Sequence, residues 1–196
     1  MMARVLLSAR RVGLTLGLCA LLPMAPSCAD DPVHDAEVTS LGDEVPGVSQ
    51  GPYHRAGQPC TVCHGGLGPA STQFSMAGTV FNAKDSLVGV DKAEILFVDA
   101  NGSSPTLSVL TNCVGNFFIT PDVWNPAFPV LVGIQFGSAK TQMLTQISRA
   151  ASCSECHTDP QSTAGAGHVF IDVSVNPNEV RACPVNPNVG GDGGFL

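Results

Sequence analysis

The sequence predicts a mainly β protein: a small antiparallel β-sandwich with a loop or short-helix segment on either side. Three observations carry this expectation. Short apolar runs punctuated by Gly, Asn and Pro fill the middle of the chain, as in sandwiches. Long helical periods are absent from that stretch. A pentad of the form C-x-x-C-H precedes these runs as Cys60-Thr61-Val62-Cys63-His64 and follows them as Cys153-Ser154-Glu155-Cys156-His157.

Taken in chain order, residues 1–27 have the layout of a secretory signal. Arg4, Arg10 and Arg11 precede an apolar run over 12–22, and small residues and prolines lead to Cys28. That run is shorter than the about 20 residues a membrane-spanning helix needs. Residues 28–52 are rich in Asp, Glu, Pro, Gly and Ser without a sustained apolar period, which reads as a flexible tether. The first pentad falls in a segment over 53–75.

The sandwich is expected over 76–136. Gly78-Thr79-Val80-Phe81 signals one strand, and residues 93–99 a second, closed by the turn Asn101-Gly102. Residues 106–111 alternate apolar and polar, 115–119 begin after a Gly turn, and 128–134 form a further β-rich run. Trp124, between Pro121 and Pro126, reads as a loop anchor. The second pentad belongs to a segment over 137–175, and residues 176–196 read as a tail.

The pentads carry the chemistry. C-x-x-C-H reads as a covalent c-type haem site. Two thiols three residues apart on a helical turn can add to the two vinyl groups of one porphyrin, and the following His then reaches the iron. Two pentads imply two covalently bound haem c groups, held by Cys60, Cys63, Cys153 and Cys156, with His64 and His157 as iron ligands. A four-thiolate zinc site is the competing reading. Zinc ribbons space their pairs by about 15–20 residues, far less than the interval from Cys63 to Cys153, and they leave a His after each pair unexplained. A thioredoxin-like dithiol would need a βαβ setting, which neither pentad has.

The second axial ligands are expected from His54 and His168. His54 lies six positions before Cys60, and His168 eleven after His157; spacing does not say which serves which iron. Met76 and Met143 are the alternatives, and a His/Met iron would have the higher potential. Either Met reads as readily as gap-filling core. His34 lies in the tether, where a solvated surface is expected. Gly65 and Gly66 suit either a close approach of backbone to a porphyrin edge or an ordinary turn. Phe74, Phe81, Phe117, Phe118 and Phe170 divide between porphyrin faces and core in a way the sequence leaves open.

Cysteine arithmetic agrees. Of eight cysteines, Cys19 lies in the signal, Cys28 at its end and four in the pentads, leaving Cys113 and Cys183. An exported chain permits a disulfide between them; two buried free thiols are the alternative.

Three of the nine Lys and Arg precede Cys28 and all sixteen Asp and Glu follow it, so the chain from Cys28 onward has a formal charge of −10. This disfavours nucleic-acid binding, which needs a basic surface. It suits steering of a basic redox partner protein.

Met24-Ala25-Pro26-Ser27-Cys28 resembles a bacterial lipobox. That resemblance implies a lipid anchor on Cys28, hence membrane attachment, and Ala29 in the next position matches outer-membrane sorting. Ala25 stands where Leu is usual, and Pro26 is also a departure. The alternative is plain cleavage to a free periplasmic or secreted protein. Ala77-Gly78-Thr79-Val80, Gly89-Val90, Ala93-Glu94-Ile95, Asp99-Ala100-Asn101-Gly102 and Gly115-Asn116-Phe117-Phe118 resemble the carboxypeptidase regulatory-like sandwiches, over about 76–136. That family supplies no catalytic residues. With His54, Cys63-His64-Gly65-Gly66 and Cys153-x-x-Cys156-His157 added, the arrangement resembles exported bacterial cytochromes whose two haem segments flank such a sandwich.

The resemblance and the pentads together imply a dihaem electron carrier or relay, not an enzyme, placed in the periplasm, on the outer membrane or at the cell surface. Two other readings stand beside it: a small-ligand sensor or enzyme with one open iron, and a surface binding module that bears haems. No nucleophile triad, phosphate loop or acid–base pair of carboxylates stands out.

Overall fold

The computed structural model describes residues 31–44, 46, 48, 50–102, 107–158, 165–173 and 183 of the 196. The chain divides into two compact units, Met1–Asp31 and Pro32–Leu196. The signal region and Cys28 therefore lie outside the described residues, as does the tail apart from Cys183.

The second unit is mainly β, with two antiparallel sheets and few helices. In chain order it contains α1 (Pro32–Ser40), α2 (Cys60–His64), β1 (Met76–Thr79), β2 (Glu94–Val98), β3 (Leu107–Leu110), β4 (Asn116–Ile119), β5 (Leu131–Phe136) and β6 (Ala139–Gln142). A 3-10 turn at Cys153–Glu155 follows. The sheets have strand orders β1-β4 and β3-β2-β5-β6.

Period-two alternation decides which face of the larger sheet meets the core. Ile95 and Phe97 of β2 point inward, flanked by partly exposed neighbours. The register sets Ile95 opposite Ile134 and Phe97 opposite Val132 on β5, and Ile95 opposite Val109 on β3. All five are buried. From the smaller sheet Met76, Phe117 and Ile119 join the same cluster, as do Val80, Val90, Val130 and Ile171. Trp124 packs on Phe97 with ring centroids 5.4 Å apart.

β1 does not alternate; all four of its residues are buried. One side belongs to the core. The other meets the second pentad, where Ala77 bridges Ser152 and its N–H donates to Ala151 O at 2.9 Å. A short strand covered on both faces loses its alternation for this reason.

Three features depart from the sequence expectation. Residues 32–40, read as part of a tether, form a helix with no buried residue; Pro32 at its start and Asp35 in its first turn suit a helix N-terminus. The β structure runs past residue 136: β6 pairs with β5, and Ile147 bridges Val130. Residues 169–173 also pair with the core, through Phe81 N–H to Val169 O and Ile171 N–H to Phe81 O, at 2.9 and 3.0 Å. Val169, Ile171 and Val173 alternate with Phe170 and Asp172, the period of a half-buried strand, at positions expected to belong to a haem segment.

Candidate functional site

The first pentad forms α2. Pro59 enters it in extended conformation, and Val62 buries the inner face of the single turn. That turn sets Cys60 and Cys63 on neighbouring positions of one helical face. Gly65 ends the helix, and a Cβ there would come within 2.4 Å of Thr61 O, so a side chain is excluded. Gly66 has open space around it. The steric need for glycine at Gly65 thus comes from the helix's own backbone.

The second pentad is the 3-10 turn, and it sits against the first. Cys60 N–H donates to Ser152 Oγ at 3.1 Å. Thr61 Oγ1 donates to Glu155 Oε1 at 2.6 Å, and Ser152 N–H donates to the same oxygen at 3.2 Å. Ser152 is 1 % exposed, so its hydroxyl serves the protein and not water. Gly78 of β1 makes the seat: a Cβ there would lie 2.8 Å from Cys153 Sγ and 3.0 Å from Phe117.

The four pentad cysteines are unpaired. Cys113 and Cys183 are joined in a disulfide with Cα atoms 5.5 Å apart. Burial pushes the Cys60 thiol up to about 11, against a smaller lowering by the Ser152 hydrogen bond. Burial likewise pushes Cys153 up to about 12, with Cys60 adding to the rise. A redox-active dithiol shows the opposite, a thiolate favoured by its surroundings.

The histidines share a pattern. His64 Nδ1 lies 2.8 Å from Thr72 O, and His157 Nδ1 lies 2.9 Å from Gly167 O. A carbonyl oxygen only accepts, so in each ring Nδ1 carries the hydrogen and donates. In the neutral ring Nε2 then holds the lone pair that binds a metal. Burial, and secondarily the neighbouring His54, lower His64 below the usual imidazole value, although its bond to Thr72 O works the other way. This favours the neutral ligand form.

His54 Nδ1 donates to Glu44 Oε1 at 3.0 Å, and His168 Nδ1 to Ser86 O at 3.4 Å. The His54 and His64 ring centroids are 5.8 Å apart with planes at 72°. His168 stacks on Phe81 at 4.5 Å, and its backbone neighbour Gly167 is the residue that orients His157.

His64 stacks on Phe74 at 4.1 Å, and Phe74 on Phe118 at 4.8 Å. Phe117 belongs to the core, and Phe170 is 36 % exposed. Met76 is fully buried in the core, and Met143 packs against it. Both therefore serve packing. His34 lies in α1 with its Nε2 buried, not on a solvated tether.

Among the described residues, no three Cys, His, Asp or Glu side chains converge to hold one metal ion. A zinc site needs four donors, whereas a haem iron takes one or two from the protein. The described residues present free thiols in pairs, with an oriented imidazole after each.

No protein-family model, curated protein or solved structure matches this chain. The arrangement therefore stands on its own geometry.

Several residues that build the site carry no motif. Asn112 and Asn116 dock the loop that bears His54: Asn112 Nδ2 donates to Pro52 O at 2.7 Å, and Asn116 Nδ2 donates to His54 O at 2.9 Å. Thr79 Oγ1 donates to Asn116 Oδ1 and accepts Gly57 N–H, at 2.7 and 2.8 Å. In the sequence this corner showed as the turn glycine Gly115, at φ +82°, and as the Thr79 and Asn116 positions of the sandwich resemblance, without any link to His54. Glu44 gave none, because its partners lie ten or more positions away; Ser152 and Glu155 have the spacing of a capping box, which does not show their bonds to Cys60 and Thr61.

Proposed function

We propose that this chain is an exported dihaem c-type cytochrome that carries or relays electrons. Cys60 and Cys63 would hold one haem through thioethers, and Cys153 and Cys156 the other. His64 and His157 would each supply an axial nitrogen, with His54 and His168 as second ligands, His54 on the His64 side. The observation that carries this reading is the pairing of each C-x-x-C with an imidazole whose Nδ1–H is held by a backbone carbonyl. That arrangement presents Nε2 in one tautomer and one orientation.

Bound haem supplies a reversible one-electron ferric–ferrous couple. The chain's residues do the rest. Ser152 and Glu155 join the two pentads, so whatever Cys60 and Cys153 carry is held side by side in one molecule. Phe74 and Phe81 fix the rotation of His64 and His168 by stacking. Two imidazoles at one iron would leave it no open position, which suits a carrier better than an enzyme. The flanking sheets fit a small β-sandwich of the carboxypeptidase regulatory-like kind, here acting as the frame between the pentads. Export, periplasmic or outer-membrane residence and a lipid on Cys28 complete the proposal. Among the described residues no helix is long and apolar enough to cross a membrane.

The test is expression in a host with haem c maturation, followed by a pyridine haemochrome assay, intact mass and electron paramagnetic resonance. Two covalent haems with low-spin signals are expected. Colourless, correctly exported protein with no added mass would sink the proposal. Rapid carbon monoxide binding to the reduced native protein would instead favour a sensor or enzyme with one open iron.

A further inference from the structure

We propose that Glu44 is a positioning residue for the His64-side haem: it orients His54 as second axial ligand, and Arg55 clamps it in place. The inference rests on the dihaem reading above and adds to it. Glu44 belongs to the stretch that composition marked as a tether, so nothing in the sequence connects it to a ligand.

Four histidines have an oxygen acceptor at Nδ1. Three of those acceptors are neutral backbone carbonyls; that of His54 is a carboxylate. A carboxylate on the far nitrogen fixes the tautomer and ring orientation and makes Nε2 a stronger donor. A stronger donor favours ferric iron. The two haems are thereby made unequal, with the His54/His64 centre at the lower potential.

Glu44 is held for this work. Its Oε1 accepts both His54 Nδ1–H and Arg55 Nε–H, each at 3.0 Å. The rest of the guanidinium donates to Gln58 Oε1 at 2.8 Å, Gly42 O at 2.8 Å and Leu41 O at 3.3 Å. The fork thus ties the segment ahead of Glu44 to the loop ahead of α2. Arg55 adopts φ +48°, a left-handed conformation that is unfavourable for a non-glycine residue. Such a conformation persists where its surroundings over-determine it, and here the residue next to the ligand is the one so constrained. Asn116 completes the support by accepting no freedom in the His54 carbonyl, to which its amide donates at 2.9 Å.

The experiment uses full-length, haem-matured protein in four forms: wild type, Glu44→Gln, Glu44→Ala and Asp122→Asn. Asp122 is exposed and serves as the control for loss of one negative charge. Haemochrome content and mass are read first, then resonance spectra, redox titration and carbon monoxide binding. With two haems in each form, Glu44→Gln keeps an oxygen acceptor for His54: it should stay low-spin and move one midpoint potential upward, leaving the other in place. Glu44→Ala should convert part of one haem to high spin, open it to carbon monoxide, and be restored by added imidazole. If Glu44→Ala does not mature, the selective shift in Glu44→Gln remains decisive. Two haems with wild-type spectra and potentials in the Glu44 variants, or equal shifts of both haems matched by Asp122→Asn, would overturn the role of Glu44 alone. Wild-type protein without two haems would overturn the dihaem reading and this inference together.

Discussion

A neutral imidazole has one donor nitrogen, and in His64 and His157 that nitrogen is already committed to a carbonyl. Replacing either ring by Ala should leave its haem without a proximal ligand and remove one of the two low-spin signals, as resonance spectroscopy would read. Gly78 tests the seat of the second pentad. A methyl group there meets Cys153 Sγ at 2.8 Å, and overpacking of this kind costs about 1–3 kcal/mol. Gly78→Ala should lower haem occupancy at the second site more than at the first, measured by mass after mapping. The thiols give a pH expectation for the haem-free chain. Their folded values are raised from 9.0 to about 11 for Cys60 and about 12 for Cys153. Raised values mean that stability is fully present below about pH 9 and is lost as pH climbs through that window, because the unfolded thiols ionise first. Urea melts across this range check it, and Cys60→Ser with Cys153→Ser should flatten the decline.

At the scale of elements, the pentads depend on strands and turns outside them. Ser152 is the clearest case, lying between β1 and α2 and accepting from Cys60 N–H. Ser152→Ala leaves that donor without its acceptor, a loss of about 1–3 kcal/mol, and should loosen the second pentad from the first. The disulfide ties the turn before β4 to a residue 70 positions later. Removing it with Cys113→Ser and Cys183→Ser should cost about 2–4 kcal/mol, seen as a lower urea midpoint with two haems still attached. The strands themselves were legible where apolar alternation was strong, as in β2, where Ile95 and Phe97 face inward. β6 was not, since Ala139–Gln142 is mostly exposed and lies on a sheet edge. The helix over 32–40 was missed because it buries no apolar face, and without such a face there is no period to read.

For the whole molecule, the formal charge of −10 from Cys28 onward bears on encounter with a partner. Electron exchange with a small basic redox protein should slow as salt rises, by about tenfold between roughly 10 mM and 200 mM ionic strength, because the Debye length shrinks over that range. Stopped-flow rates that do not change with salt would remove the steering expectation.

The sequence by itself determined the candidate chemistry: cysteines three positions apart with a His behind them are a local pattern, complete within five residues. It also determined the mainly β frame, since alternation and turn residues act between near neighbours. Only the tertiary structure decided that the pentads adjoin, that the His54 ring lies beside that of His64, and that Glu44 and Ser152 hydrogen-bond to His54 and Cys60. Those relations join residues 10 to 94 positions apart. They are set by how the sheets pack and where buried hydrogen-bonding groups find partners, and no short-range pattern records that.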